Sequence, residues 1–99
     1  MKGHVDLLLL ATLRQGPLHG YAVVEQLRDQ SNGAFDLAEG TVYPALYRLE
    51  RAGLLASRWT NAAGRRRRVY RLTRSGRAKL ARESGEWKSF AQAVEAVLT

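Results

Sequence analysis

Apolar positions along the chain recur mostly at three- and four-residue steps, and that spacing predicts helices over most of its length. In residues 4–15, Val5, Leu8, Leu9 and Thr12 or Leu13 fall at helical spacing, and Leu7, Leu10 and Ala11 widen the apolar side. A helix so apolar must be largely buried, and Gly16-Pro17 ends it. A second helix is predicted over 19–30 on the stripe Val23, Val24 and Leu27, with Tyr21 beside it and Glu25, Arg28 and Asp29 toward solvent. Ser31-Asn32-Gly33 stops it with residues that tolerate a left-handed turn. Phe35 and Leu37 then alternate with Ala34, Asp36 and Ala38, which predicts a very short extended piece before the next helix.

In the third helical segment Val42, Ala45, Leu46, Leu49, Ala52 and Gly53 share one face. The opposite face collects Tyr43, Pro44, Tyr47, Arg48 and Arg51, with Thr41 at its edge. Pro44 constrains where this helix begins, because a proline beyond the first turn loses a hydrogen bond and meets an earlier carbonyl. With Thr41 as N-cap, Pro44 sits at the third helical position, where its missing N–H removes nothing. The reading is a helix over 41–52, closed by Gly53. Its outward aromatic and guanidinium groups suit phosphates and base edges, as a recognition helix requires. Tyr43 lies near the boundary of the two faces, so groove contact and packing are both open to it.

After Gly53 the pattern changes. Residues 54–60 and 67–72 are rich in β-compatible side chains, including Leu55, Trp59, Val69, Tyr70 and Leu72. They flank Asn61-Ala62-Ala63-Gly64, which predicts a β-hairpin with its tip near 62–66. Alternation sends Arg68, Tyr70 and Leu72 to one face and Arg67, Val69 and Arg71 to the other. Strands this short need the helices behind them. Thr73 then reads as the N-cap of a last helix over 74–97, on which Leu80, Trp87, Phe90 or Ala91, Val94 and Val97 or Leu98 form a seam suited to a partner helix. Ser84-Gly85 is its weak point.

The order helix, helix, helix, hairpin, helix is that of a winged helix-turn-helix followed by a C-terminal helix, a mainly α fold with a small β-hairpin. In that arrangement the second helix of the pair lies in the major groove and the wing reaches the neighbouring backbone or minor groove.

Charge sharpens this picture. The chain has 99 residues and a net charge of +7. Between Gly64 and Arg82 lie nine basic residues and no acid, while the other 80 residues carry seven basic and nine acidic side chains. The basicity is therefore a local patch, and polyanion binding is its first meaning. On charge alone an acidic membrane surface or an acidic protein partner is also open. Arg65, Arg66, Arg67 and Arg68 repel one another on a turn and gain little from isolated surface pairs; counterion release on meeting phosphates gives them a use. Arg77 and Lys79 flank that surface.

Other chemistry finds little support. There are no cysteines, hence no disulfides or thiolate metal sites. His4 and His19 share no metal-ligand spacing with carboxylates, and no serine lies in a nucleophile motif. We expect no catalysis, metal or cofactor. Trp87 and Phe90 read first as core or dimer seam, and Trp87 with its mirror copy is also a candidate wall for a planar effector. No apolar run approaches a membrane span, and Met1-Lys2-Gly3-His4 lacks the small-residue cleavage site of a secretory signal, so a cytoplasmic location is expected.

Three segments carry a family resemblance: Gly16-Pro17-Leu18-His19-Gly20-Tyr21; Glu39-Gly40-Thr41-Val42-Tyr43-Pro44-Ala45-Leu46 with Arg48-Leu49-Glu50; and Val69-Tyr70-Arg71-Leu72-Thr73 with Gly76. Together they resemble the PadR-type transcriptional regulators, and the single C-terminal helix is similar to the compact subgroup. The resemblance implies a homodimeric prokaryotic repressor on an inverted-repeat operator, with residues 1–73 as DNA-binding domain and 74–99 as dimerisation helix in one compact unit. It implies DNA contacts from Thr41, Tyr43, Pro44, Tyr47, Arg48 and Arg51 and from Arg65, Arg66, Arg67 and Arg68. Dimer contacts would come from Leu80, Trp87, Phe90, Ala91, Val94, Val97 and Leu98. Some members bind phenolic acids or flat drugs at the dimer centre, which makes a small aromatic effector an implied partner. The competing reading is a winged-helix protein-interaction module whose basic wing meets an acidic partner. An RNA binder is disfavoured, since the aromatics sit on a helix and not on an exposed sheet.

Overall fold

The structure is a computed structural model that describes residues 4–99; Met1–Gly3, and with them the reading of the extreme N-terminus, lie outside the described residues. The elements are α1 (His4–Thr12), β1 (Leu18–His19), α2 (Gly20–Gln30), α3 (Glu39–Arg51), β2 (Leu55–Ala62), β3 (Arg65–Leu72) and α4 (Arg74–Leu98). This is a winged helix-turn-helix with one C-terminal helix.

Helix α1 has nine residues, too few to persist alone in water. Packing holds it: Leu9, Leu10 and Leu13 are fully buried in a core shared with Val23, Val24 and Leu27 of α2 and Val42, Ala45, Leu46 and Leu49 of α3. Each such leucine contributes about 1.5–3 kcal/mol. Thr12 is the one buried polar side chain of this core, and its hydroxyl donates to the Leu8 carbonyl at 2.7 Å. Helix α2 ends where Asn32 and Gly33 turn left-handed (φ 53° and 83°). There Ser31 Oγ accepts from the Phe35 N–H at 2.9 Å and so steers the link toward α3.

The structure refines or corrects the expected elements at several points. First, the extended piece expected before α3 is a link that pairs with no strand, with Ala38 in extended conformation, and Phe35 and Leu37 anchor it by packing on the core. Second, the sheet has three strands in the order β1-β3-β2, because Leu18 and His19 pair with Tyr70 and Val69 on the free edge of β3. Two residues display no alternation, so the pattern could not reveal them.

Third, α3 starts earlier than the proline rule implied. Its N-cap is Ala38, whose carbonyl accepts from Thr41 N at 3.0 Å and Val42 N at 3.1 Å, and Pro44 lies inside the helix. The hydrogen bond Pro44 cannot make leaves the Gly40 carbonyl without its helical donor, at an exposed residue where water serves. Burial of Val42, Ala45, Leu46 and Leu49 on the far side offsets that loss. Ala52 and Gly53, assigned to the buried face, are exposed and form the cap.

Fourth, the hairpin is longer and tighter than expected. Ala63 and Gly64, with φ of 51° and 75°, make a two-residue turn with both φ positive, as a right-twisted hairpin prefers. Arg65 and Arg66 therefore pair with Ala62 and Asn61 on the strands and do not occupy the tip.

At the end of α3 the Gly53 N–H bonds Glu50 O and the Leu54 N–H bonds Leu49 O, both at 3.0 Å, with Gly53 at φ 81°. Thr73 joins this cap to α4. Its hydroxyl donates to Gly53 O at 2.7 Å and accepts from Gly76 N at 3.0 Å, and its N–H bonds Leu54 O at 3.1 Å. A Cβ on Gly76 would overlap the Leu54 carbonyl oxygen. Helix α4 then runs unbroken through Ser84-Gly85. Leu80, expected on the partner-facing seam, is instead buried in the core of the chain itself, because the first turns of α4 pack on α1 and β3.

The junction makes a stability prediction. Gly76→Ala should cost about 1–3 kcal/mol by forcing backbone apart, read as a lower Tm in thermal unfolding. Gly85→Ala, where a Cβ meets nothing within 4 Å, should raise stability by about 0.5–1 kcal/mol in the same assay.

Candidate nucleic-acid interface

The outward side of α3 presents Thr41, Tyr43, Pro44, Tyr47, Arg48 and Arg51, all exposed. The side chains share this face because the four buried residues Val42, Ala45, Leu46 and Leu49 fix the rotation of the helix. Tyr47 is 57% exposed, and its hydroxyl accepts from Arg51 Nη1 at 3.2 Å. The Arg51 guanidinium lies 5.7 Å from the same ring's centroid. Tyr43 packs against α2 and still reaches the surface. Its ring covers Gly20, where any Cβ would overlap Cε1, yet 39% of the residue remains exposed. Desolvation, with the Glu39 charge adding, raises its phenol above the ordinary value, so Tyr43 is a neutral hydroxyl at physiological pH.

Arg48 is held more firmly than its neighbours. Nη1 donates to Asp6 Oδ2 and Nη2 to Asp6 Oδ1, each at 2.8 Å. Asp6 belongs to α1, far away in sequence, and carries no periodic or motif signal that could have singled it out.

The wing arginines have distinct settings. Register places Trp59 opposite Arg68. The guanidinium of Arg66 stacks 4.6 Å from the Trp59 centroid, and that of Arg68 lies 5.3 Å away. Arg68 also pairs with Glu50 Oε2 at 3.3 Å, and Glu50 accepts from the Ser57 hydroxyl, so the wing is tied to the end of α3. Arg67 points to the other face, where Nη1 lies 3.4 Å from His19 Nε2. Arg65 is exposed beside the turn. Tyr70, expected on the Arg68 face, is buried, and desolvation raises its phenol while Arg68 opposes the shift.

A hollow of 210 Å³ joins these elements, lined by His19, Tyr21, Tyr43, Arg67, Arg68 and Tyr70. It brings the start of α2, the flank of α3 and the wing into one donor-rich surface. His19 and Tyr21 are not among the residues that the sequence singles out; strand β1 brings His19 there, and Tyr21 follows it in the first turn of α2. In the sequence Trp59 signals only a strand; the antiparallel register is what places it under the arginines.

The seam side chains of α4 lie open. Trp87, Phe90, Val94, Val97 and Leu98 are 47%, 60%, 39%, 85% and 75% exposed, and Ala91 is exposed with them. Trp87 meets the His4 ring edge-on at 5.3 Å and Phe90 at 5.9 Å. A largely apolar cavity of 300 Å³ lies beside it, lined by His4, Leu7, Leu8, Phe35, Trp87 and Lys88 among others.

Residues 9–82 match the transcriptional regulator PadR-like family. The chain is 37% identical to a transcriptional regulator of Mycobacterium tuberculosis over 91% of its own length and 81% of that protein. Among solved structures it is similar to a PadR family transcription regulator of Clostridium difficile, with a TM-score of 0.88, 32% identity and coverage of 98% and 100% of the two chains. It is also similar to Bacillus subtilis PadR, solved in complex with operator DNA, with a TM-score of 0.71 and 26% identity over 77% of this chain and 44% of that one. With this coverage by sequence and by fold, the chain belongs to the PadR-like family of transcriptional regulators.

Proposed function

We propose that this regulator is a cytoplasmic repressor that binds an inverted-repeat operator as a homodimer. The observation that carries the reading is the exposed tyrosine–arginine face of α3 flanked by an arginine-bearing wing. Helix α3 would lie in the major groove, where Thr41, Tyr43, Pro44, Tyr47, Arg48 and Arg51 meet base edges and adjacent phosphates. Arg65, Arg66, Arg67 and Arg68 would supply sequence-tolerant affinity by displacing counterions. The operator complex of the Bacillus subtilis relative supports DNA as the partner. Repression follows from occupying a promoter, and it is the sign that the family resemblance implies.

The part through residue 73 acts as the DNA-binding domain and residues 74–99 as the dimerisation helix. Support for the second part is the exposed apolar row Trp87, Phe90, Ala91, Val94, Val97 and Leu98, since exposed apolar rows of this kind mark interaction surfaces. Two copies would cover one another along this row. The cavity beside Trp87 has the size and apolar lining for a small aromatic effector.

Replacing Arg66 and Arg67 with Ala should weaken binding to every duplex and reduce the slope of log affinity against log salt by about 2, one contact for each arginine. Fluorescence anisotropy across a salt series measures both. Tyr47→Ala should instead change the ranking among operator variants, by about 1–3 kcal/mol at the affected base pair; a uniform loss across sequences would remove α3 from readout. A wild-type protein with no preference over random duplex favours the protein-interaction module.

Sedimentation should give wild type at twice the 11.1 kDa chain mass. The pair Phe90→Glu and Val94→Glu should yield a folded monomer that holds only half-sites. A wild-type monomer at high concentration sinks the dimer reading.

A further inference from the structure

Among the described residues there are four ion pairs, and Asp6–Arg48 is the one in which two guanidinium nitrogens take two carboxylate oxygens. Such a fork holds the guanidinium in one plane. It uses one N–H from each terminal nitrogen and leaves the Nε–H and the outward N–H groups free. The Arg48 side chain is 59% exposed even so, on the face of α3 that the proposed function turns toward DNA.

A loose arginine on such a face meets phosphates as readily as base edges. Phosphate contacts add affinity without sequence information, whereas base-edge contacts carry it. The carboxylate changes both sides of that balance. Its charge lies against the guanidinium and cancels one cation toward the phosphates. Its geometry fixes where the remaining donors point.

A purely structural tie is the competing account. Helices α1 and α3 already share a continuous apolar core through Leu9, Leu10, Leu13, Val42, Leu46 and Leu49. An ion pair with both ends partly in solvent adds little to that.

We propose that Asp6 is a positioning residue for Arg48, so that operator discrimination depends on α1 as well as on α3. The inference rests on the reading of the protein as a DNA-binding regulator. Asp6 carries it by withholding Arg48 from the sequence-blind contacts and presenting its free edge in one orientation.

The test uses the full-length chain and a duplex that the wild type selects from a random pool, with random duplex as reference. Asp6→Asn and Asp6→Ala should each lower the ratio of selected to random affinity about tenfold, while affinity for random duplex rises and Tm stays within a degree or two. Arg48→Lys should lower the ratio similarly, since an ammonium offers no fork, and combining it with Asp6→Asn should add no further loss. An unchanged ratio in both Asp6 variants overturns the inference, as does a parallel fall of both affinities together with Tm. If the wild type itself selects no sequence, the regulator reading fails first and the inference with it. A wild type that discriminates while Asp6→Asn discriminates equally removes only the inference.

Discussion

The molecule is assembled around the backbone junction where α3 ends. Gly53 turns the chain with positive φ, the last carbonyls of α3 are closed by the Gly53 and Leu54 N–H groups, and the carbonyls of Gly53 and Leu54 are taken by Thr73. Gly76 then comes so close to the Leu54 carbonyl that no side chain fits between them. One knot of hydrogen bonds thus sets the end of the recognition-type helix, the base of the wing and the start of α4. Because one threonine and the backbone groups around it satisfy one another, the three elements cannot shift separately without breaking several of these bonds at once. The relative aim of α3 and the wing is fixed there, before any DNA is present.

That junction was largely legible in the sequence. Gly53 stood where a helix should stop, and Thr73 stood where a helix should begin. The apolar stripes of α1, α2 and α3 chose the buried faces correctly, because burial of leucine and valine dominates how those helices rotate. The start of α3 differs from its local signal for the opposite reason: Pro44 alone favours a later start, but tertiary packing absorbs one missing hydrogen bond at an exposed turn. Strand β1 escaped notice because two residues make no pattern and exist as a strand only through their partners on β3. Partnerships that join distant segments, Asp6 with Arg48 above all, leave no trace in local periodicity.

The arginines illustrate how the fold changes what composition alone implies. Four adjacent guanidiniums look like a disordered, self-repelling run. In the folded chain β3 sends them alternately to two faces, Arg66 and Arg68 settle on Trp59, Arg68 reaches Glu50, and Arg67 turns to His19. On α3, Arg51 rests against Tyr47 and Arg48 against Asp6. Long cationic side chains lose considerable rotamer freedom when they bind. Partners inside the chain remove part of that freedom beforehand, so less is lost on meeting a ligand. The acids among those partners also lower the net field, which trades some sequence-blind attraction for orientation.

Helix α4 shows the same division of labour along a single element. Its first turns, with Gly76 and Leu80, belong to the core of the chain, and its later turns carry a row of apolar side chains left exposed by the described residues. The molecule measures 54 × 28 × 21 Å, elongated because that second half projects past the body. A continuous α-helix is stiff over this length. Whatever packs on the projecting half is therefore held in fixed relation to the Thr73 junction, and through it to α3 and the wing. If a second copy packs there, the separation of the two recognition-type helices is a property of one helix and one junction, not of a flexible linker, and a regulator built this way reads half-site spacing with its backbone.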